Sequence, residues 1–518
     1  MVGTSALRTI TSRNPANLEV LGEVSISSKD DIKRTVEKAE AAFLSWRQVS
    51  LAQRLDKIER FRQLLMKERD TVAGLITREC GKPFSESLIS EVFSILETCT
   101  WLKKKAAVLL SGKHATDLNP VFFAGKRSYN LHEPLGVVAV ISPWNYPFSI
   151  PGASMLMALA AGNAVVLKPS PRCPLVAAAL VNLLVRAGFP GDLVGLVQGD
   201  KEEAEALILA GVSRVIFTGS VQGGKAIMAI ASGKLVPVTL ELGGKHPAIV
   251  LDDVDADKVA GAIAWCAFTN AGQACASIDR LYLQRAVADK VLAKVTEITR
   301  GLRLGNGMLP DTDVGPIIDE SQMKRFEEVV ADAVDKGAEV LTGGKARRDL
   351  GGYFFEPTIV RHVNSSMRLA GEEIFGPILP VTIFDTIPEA VTMANSSDLG
   401  LAASIWTGNP AAGEEIARSI QAGIVWINDG LYSHVCPDAP WGGVKYSGFG
   451  RAHSSIELLD FVNVKNVGVS TQGVRDWHFP YSKRALDYLV DGLDLLHGDG
   501  LKVKVTALLR LIRSLIKL

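Results

Sequence analysis

Between about residues 28 and 110, apolar side chains recur at spacings of three and four, as at Ile58, Phe61, Leu64 and Leu65, with charged residues between them. That period predicts helices with one buried face. The pattern changes at Leu135. LGVVAVISPWNYP is a short β-branched run broken by Pro143 and Pro147, followed by a small-residue helix, SMLMALAAG, and another apolar run, NAVVLKPS. LVAAALVNLLVRAG reads as helix and leads to DLVGLVQGD, a further helix and SRVIFTGS. Strand and helix alternating at this interval predict a parallel sheet covered by helices. The near-continuous apolar strands are those of a sheet buried on both faces.

PVTLELGGKHPAIVL closes this region, and from about 255 to 460 the alternation begins again. A helix starts at Asp257, RLYLQ reads as strand, a helix follows Ala286, and ILPVTIF, ASIWTG and GIVWIN read as later strands. The fold class expected is α/β, with two doubly wound parallel-sheet domains. The last stretch differs in kind. From Lys502 to Leu518, KVKVTALLRLIRSLIKL carries five basic residues and no acidic one. A helix there puts Val505, Leu508, Leu511, Ile512, Leu515 and Leu518 on one face and Arg510, Arg513 and Lys517 on another. That is the pattern of an interfacial membrane helix.

A chain of 518 residues exceeds the size of a single hydrophobic core, in keeping with two domains or more. Lys plus Arg and Asp plus Glu number 56 each, so no global charge points to nucleic acid. The six cysteines, Cys80, Cys99, Cys173, Cys266, Cys275 and Cys436, form no CxxC pair and no Cys/His ligand spacing. In so long a chain they read as free thiols of a reducing compartment, and neither they nor the histidines, which lack HExxH, predict a metal site. MVGTSALRTITSRNPAN has no apolar core of a secretory signal, and no run reaches the ~18 apolar residues of a membrane span. A cytoplasmic protein is expected, with the tail giving peripheral contact to the cytoplasmic membrane face.

Three residues carry candidate chemistry. Cys275 lies in FTNAGQACASIDR, where Gly272, Ala274 and Ala276 leave room for a substrate beside the sulfur. Cys266, in AIAWCAF, reads as a buried structural cysteine instead. Glu241, between Leu240 and Leu242 at the end of a strand, is a carboxylate in apolar company, which general-base work would explain. Asn145, in PWNYP, has an amide that could serve an oxyanion or simply shape a turn. FTGSVQGGK is a glycine-rich strand-to-helix turn suited to phosphate, although it lacks GxGxxG spacing and the pattern alone leaves its role open.

PWNYP, VVLKPS, FTGSVQGG, LELGGK, FTNAGQACASIDR, EEIFGP and PWGGVKYSGFGR occur in an order and spacing that resembles the aldehyde dehydrogenase superfamily from about Asn14 to Lys465. The resemblance implies oxidation of an aldehyde to its acid with NAD or NADP. Cys275 would be the nucleophile, Asn145 and the Cys275 N–H the oxyanion donors, and Glu241 the base that hydrolyses the thioester. Relatives that pass the acyl group to coenzyme A typically lack this glutamate. For the cofactor, the resemblance implies Lys168 at the adenosine ribose, Gly219 and Ser220 at the pyrophosphate and Gly224 at the helix opening. It places Glu373 and Phe375 at the nicotinamide riboside, with Trp144, Thr218 and Leu242 along the cleft. It implies a cofactor domain of 1–113 with 132–243, a catalytic domain of 244–460, and strands at 114–131 and 461–470 that make a homodimer or homotetramer. Residues 471–518 lie beyond it as an amphipathic extension.

Two positions depart from the family pattern. Pro171, three residues after Lys168, stands where many NAD-preferring relatives have a glutamate that would repel a 2′-phosphate, so tolerance of NADP is expected. Ser454 and Glu457 stand where glycines are common, a change expected to affect a turn and not the chemistry. The loop NDGLYSHVCPDAPWGG offers Tyr432, His434 and Cys436 but no arginine, which disfavours a dicarboxylate semialdehyde such as succinate semialdehyde. Some fatty-aldehyde members carry hydrophobic C-terminal extensions, so a medium- or long-chain aliphatic aldehyde is the expected substrate, with subunit packing as the other reading of the tail. A catalytically silent relative is disfavoured by the intact Cys275, Glu241 and Asn145.

Overall fold

The structure, a computed structural model, describes residues 8–111, 114–123, 125–471 and 479–516. It divides into two units, Met1–Leu109 with Pro134–Phe461, and Leu110–Glu133 with Val462–Leu518. In the larger unit, α1 (Lys29–Trp46) and α2 (Leu51–Cys80) both begin with capping boxes, Ser28 with Asp31 and Ser50 with Gln53. Gly81 ends α2 in the left-handed conformation, φ 91°, and turns the chain inward at Lys82. Lys82 is completely buried. Its ammonium donates to Glu91 Oε1 at 2.7 Å and to the Asn145 carbonyl at 2.7 Å. Glu91 Oε2 accepts from the N–H groups of Phe148 and Ser149, which open helix α3 (Ser149–Ala160). Asn145 is thus fixed from below by a buried ion pair.

The apolar runs form strands β1 (Val137–Ile141), β2 (Ala164–Lys168), β3 (Val194–Leu196), β4 (Arg214–Thr218) and β5 (Val238–Glu241) of one sheet. A second sheet holds β6 (His246–Val250), β7 (Ile278–Gln284), β8 (Glu339–Thr342), β9 (Thr358–Arg361), β10 (Ile378–Phe384), β11 (Ala402–Trp406) and β12 (Ile424–Ile427). Strand β13 (Gly448–Phe449) returns to the edge of the first sheet, giving the order β13-β5-β4-β1-β2-β3. The second sheet runs β8-β9-β10-β7-β6-β11-β12. Pairing is parallel except at β13–β5 and β8–β9, so both sheets are the helix-covered kind that the alternation predicts. Strands β1, β2 and β6 are buried at every residue.

Gly243 and Gly244 link β5 to β6. A Cβ at Gly244 would come within 2.6 Å of the Cys275 carbonyl, so the link demands glycine. Glu241 ends β5 and Cys275 lies just before β7, and this tight link brings the carboxyl end of one sheet to the amino end of the other. Helices α4 (Val221–Ser232) and α5 (Ala256–Phe268) flank the junction. Helix α6 (Ser454–Asp460) corrects the expectation for the two glycine-like positions. Ser454 does take a positive φ, 62°. Glu457, however, is no turn residue: it is 1% exposed and accepts hydrogen bonds in the interior behind Glu241.

In the smaller unit a sheet runs in the order Val462–Ser470, Lys126–Pro134, His114–Ala115. It leaves the nine-residue strand Val462–Ser470 at an edge. Two helices follow, α7 (Lys483–His497), capped by Ser482, and α8 (Leu501–Ile516). Tyr488 on α7 donates its hydroxyl to the Val121 carbonyl at 2.6 Å and meets Phe122 edge-on. The apolar face expected of α8 is divided. Ala507 and Leu511 are buried, while Val505, Leu508 and Ile512 remain exposed. The Leu515 side chain, Lys517 and Leu518 lie outside the described positions.

Candidate active site

The segment before β7 is held in an unusual backbone path. Asn270, Ala271 and Gly272 all have positive φ, and a Cβ at Gly272 would collide with the Gly376 carbonyl. The Asn270 N–H donates to Glu86 Oε2 at 2.8 Å, and Gln273 Oε1 accepts the Ile318 N–H at 2.9 Å. Such a path persists only where its surroundings fix it, and here it delivers Cys275 to a cleft wall. The thiol is pushed up to about 12, first by burial and then by the nearby Glu373 and Glu241 carboxyls. It rests protonated, and a nucleophilic role requires a base beside it.

Asn145 Nδ2 donates to the Gln273 carbonyl at 3.0 Å, two residues before Cys275. A primary amide has a second N–H to offer, and Asn145 lines the same cleft as the sulfur. Glu241 is 4% exposed, and among the described residues neither of its oxygens has a hydrogen-bond partner. The nearby Ala452 N–H is spent on the Trp441 carbonyl. Burial raises the Glu241 pKa well above the usual carboxyl range; Arg451 opposes this and Glu457 adds to it. Gly442 permits the arrangement, because a Cβ there would stand 2.8 Å from Glu241 Oε1. A carboxyl with no internal donor is one whose partner arrives with the reaction.

On one side of Cys275 opens a cleft of about 340 Å³. It gathers Trp144, Asn145, Thr218, Gly219, Ser220, Glu241, Leu242, Glu373 and Phe375 from the sequence expectation, with Gln322 and Arg325 added. Ser220 caps α4 through the Gly223 N–H at 3.1 Å, so the amino end of a 12-residue helix stands at the cleft, where it suits a pyrophosphate. Trp144 and Phe375 meet edge-on at 5.5 Å and form an apolar wall for a flat ring. Glu373, raised to about 7 by burial, accepts the Gly244 N–H and keeps acceptor capacity for a ribose hydroxyl. Arg325 donates to the carbonyls of Glu373 and Ile374 and so holds this segment. The residues present fit a nicotinamide dinucleotide. Lys168 and Gly224 are not part of this wall. Lys168 ends β2, lowered to about 8 by burial, and donates to the Pro169 and Gly199 carbonyls. Gly224 lets α4 close on Leu242, since a Cβ there would stand 2.7 Å from that side chain.

On the other side is a cavity of about 80 Å³ lined by Ile89, Ser90, Tyr146, Trp265, Thr269, Ala274, Cys275, Ala276, Leu431, Tyr432, His434, Val435 and Trp441. Tyr432 and His434 were expected there; Cys436 is not in the wall. Trp265 and Trp441 were not foreseen. Trp265 is 51% exposed although it adjoins the buried Cys266 in AIAWCAF, and only the helical phase of that run could have separated the two. No lysine or arginine lines the cavity. Lys82, under the Tyr146 ring at 3.9 Å, is committed to Glu91. His434 is depressed to about 3 by burial and is neutral.

A family profile described as "Aldehyde dehydrogenase family" matches residues 2–467. A Methylomonas sp protein described as 4,4'-diapolycopene aldehyde oxidase is 35% identical over 497 residues, 95% of this chain and 92% of that one. A Sinorhizobium fredii protein described as a probable succinate-semialdehyde dehydrogenase (NADP(+)) is 36% identical over 458 residues, 87% of this chain and 91% of that one. The solved structure of betaine aldehyde dehydrogenase from Staphylococcus aureus in complex with NAD+ superposes with a TM-score of 0.85 at 31% identity, covering 91% of this chain and 94% of that one. The chain belongs to the aldehyde dehydrogenase family, and it is an NAD- or NADP-dependent enzyme that oxidises an aldehyde to a carboxylic acid.

Proposed function

We propose that the substrate is an apolar, medium- or long-chain aldehyde and that Cys275, Glu241 and Asn145 carry the reaction. Cys275 Sγ attacks the carbonyl carbon and gives up its proton to Glu241, which desolvation has made basic enough to take it. The oxyanion of the resulting thiohemiacetal is held by the Asn145 amide and the Cys275 N–H. Trp144, Thr218, Gly219, Ser220, Leu242, Glu373 and Phe375 would hold a nicotinamide dinucleotide, with Lys168 at the adenosine end and Gly224 closing α4; when bound, it would supply the two-electron oxidation that leaves a thioester on Cys275. Glu241, after losing the thiol proton to solvent, takes a proton from water; the hydroxide adds to the thioester carbonyl, the Cys275 thiolate leaves and regains a proton from Glu241, and the acid is released.

The observation that carries the substrate assignment is the cavity wall. It is aromatic and aliphatic and offers no cation to a second carboxylate, so a semialdehyde acid would bury its charge unpaired. The likeness to the diapolycopene aldehyde oxidase supports the same reading, because that match runs over 497 residues. A role for the tail follows. Among the described residues no helix is long and apolar enough to cross a membrane. In the smaller unit, Leu486, Val490, Leu493, Val505, Leu508, Leu509 and Ile512 are exposed on α7 and α8, with Lys502, Lys504, Arg510 and Arg513 on the latter. This is the composition of a peripheral contact with an anionic, cytoplasm-facing lipid surface. The open strand Val462–Ser470 supports assembly into homodimers or homotetramers by edge pairing, and the division into cofactor, catalytic and oligomerisation segments follows the two sheets and this edge.

NAD(P)H formation across aldehydes from C2 to C16 should show kcat/KM rising about fourfold per added CH₂ until the cavity is filled, the equivalent of ~0.8 kcal/mol each. Succinate semialdehyde should be poor and Cys275→Ala inactive; a preference for succinate semialdehyde would reverse the assignment. With both cofactors supplied, NADP should support kcat/KM within about a hundredfold of NAD, and Pro171→Glu should lower the NADP value at least about tenfold. A wild-type preference for NAD of a thousandfold would refute the tolerance. Flotation with anionic vesicles should carry the full chain and leave behind a chain ending at Thr471. Equal flotation of the two would remove the membrane contact.

A further inference from the structure

Beside Glu241, bordering the cofactor cleft at Ile150, Thr218, Leu242 and Cys275, lies a cavity of about 40 Å³, room for one to three water molecules. Its wall carries Glu241, Cys275, Ser149, Ser154, His434 and His453. Both Glu241 oxygens, Ser149 Oγ, His434 Nε2 and His453 Nδ1 are buried with no hydrogen-bond partner among the described residues. Buried polar atoms in this number around a space the size of a few waters are suited to hold bound water. The exception on the wall is Ser154, which donates its hydroxyl at 2.6 Å to Glu457 Oε1. Glu457 Oε2 accepts the His453 N–H at 2.5 Å. A second buried carboxyl is therefore joined by a single hydroxyl to the cavity that holds the first.

The charged groups around the pair are few. Arg451 faces Glu241 while donating to the carbonyls of Gly443 and Gly450. Arg214, on β4, and Asp460, on α6, form an ion pair at 2.8 Å near Glu457. His434 and His453 are lowered to about 3 and about 4 by burial, and both are neutral. Burial lifts Glu457 to about 7. Burial raises Glu241 well above the usual carboxyl range, and the Glu457 charge adds to this.

We propose that Glu457 is a positioning residue for the proton of Glu241, joined to it through Ser154 and the cavity that Ser154 and Glu241 share. The inference rests on Glu241 being the base. Burial holds the Glu241 carboxyl above the usual range, so its proton needs an acceptor before Glu241 can serve as base. Transfer through the cavity and Ser154 moves it to Glu457, leaving Glu241 as carboxylate and Glu457 as acid, with no change in total charge. Glu241 can then take the proton of the attacking water, and the proton on Glu457 is lost to solvent before the next cycle. Two carboxyls with unequal environments divide the work: one sets the basicity of the other and stores its proton.

Hydrolysis of p-nitrophenyl acetate against pH tests this without any cofactor, since acyl transfer through Cys275 and Glu241 suffices. Glu457→Gln keeps both hydrogen-bond acceptors in shape and removes the charge. With no anion beside it Glu241 ionises at lower pH, so the acid limb of the deacylation profile should move down by about one unit, with a several-fold lower plateau from the weaker base. Ser154→Ala should lower the deacylation rate about tenfold with little change in KM. A Glu457 that serves only to cap α6 would lower the Tm and leave the limb in place. An unshifted limb in folded Glu457→Gln, or an unchanged rate in folded Ser154→Ala, overturns the proposal. Glu241→Gln separates the two ideas: if it deacylates normally, the base is misassigned; if it is inactive while the other variants match wild type, only the pairing fails.

Discussion

Glu241 stands at the end of β5 with both oxygens buried and no hydrogen-bond donor among the described residues, and the reactive centre we propose is arranged around that desolvation. A carboxylate so placed is a far stronger base than one in solvent. The Cys275 thiol, pushed up to about 12 by the same burial and by the carboxyls beside it, cannot ionise unaided at neutral pH. Each group is unreactive for the same reason and supplies what the other lacks. Gly244 and Gly442 make the proximity possible, because a side chain at either would strike the Cys275 carbonyl or the Glu241 carboxyl.

Raised pKa values alone do not identify the catalytic group. Glu79 and Glu86 are also lifted to about 7 by burial, yet each is spoken for. Glu79 accepts from Ser12 and from the Leu175 and Val176 N–H groups in the first turn of the helix Pro174–Arg186, and Glu86 accepts the Asn270 N–H. With Glu91 and Lys82 they hold the backbone that presents Asn145 and Cys275. Buried carboxyls with donors do mechanical work here. Glu241, with no donor among the described residues, is the one for which we propose chemistry.

Much of this is legible in the sequence. Uninterrupted apolar runs alternating with helical stretches give both parallel sheets, and the segments around Cys275, Glu241 and Asn145 carry short-range chemistry that spacing preserves. Contacts made across the fold are hidden. Glu457 looks like a substituted turn glycine until α6 turns it inward against Ser154, some 300 residues away. Trp265 and Trp441 reach the substrate wall through helix phase and a loop bridge, which no local pattern reports. The helix Lys483–His497 is equally silent about the partner that takes Ala507 and Leu511 out of the exposed face of α8.

The central claim is that Glu241 hydrolyses an acyl group carried by Cys275. Intact-mass spectrometry of Glu241→Gln after mixing with a long-chain aldehyde and NAD(P)+ reads it directly. Because Glu241 also takes the thiol proton, the account predicts slow acylation and still slower release: one acyl equivalent per chain building up over time, mapped to Cys275 by peptide analysis, with steady-state turnover reduced by about 10²–10⁴. Unmodified Cys275 together with undiminished turnover would contradict it.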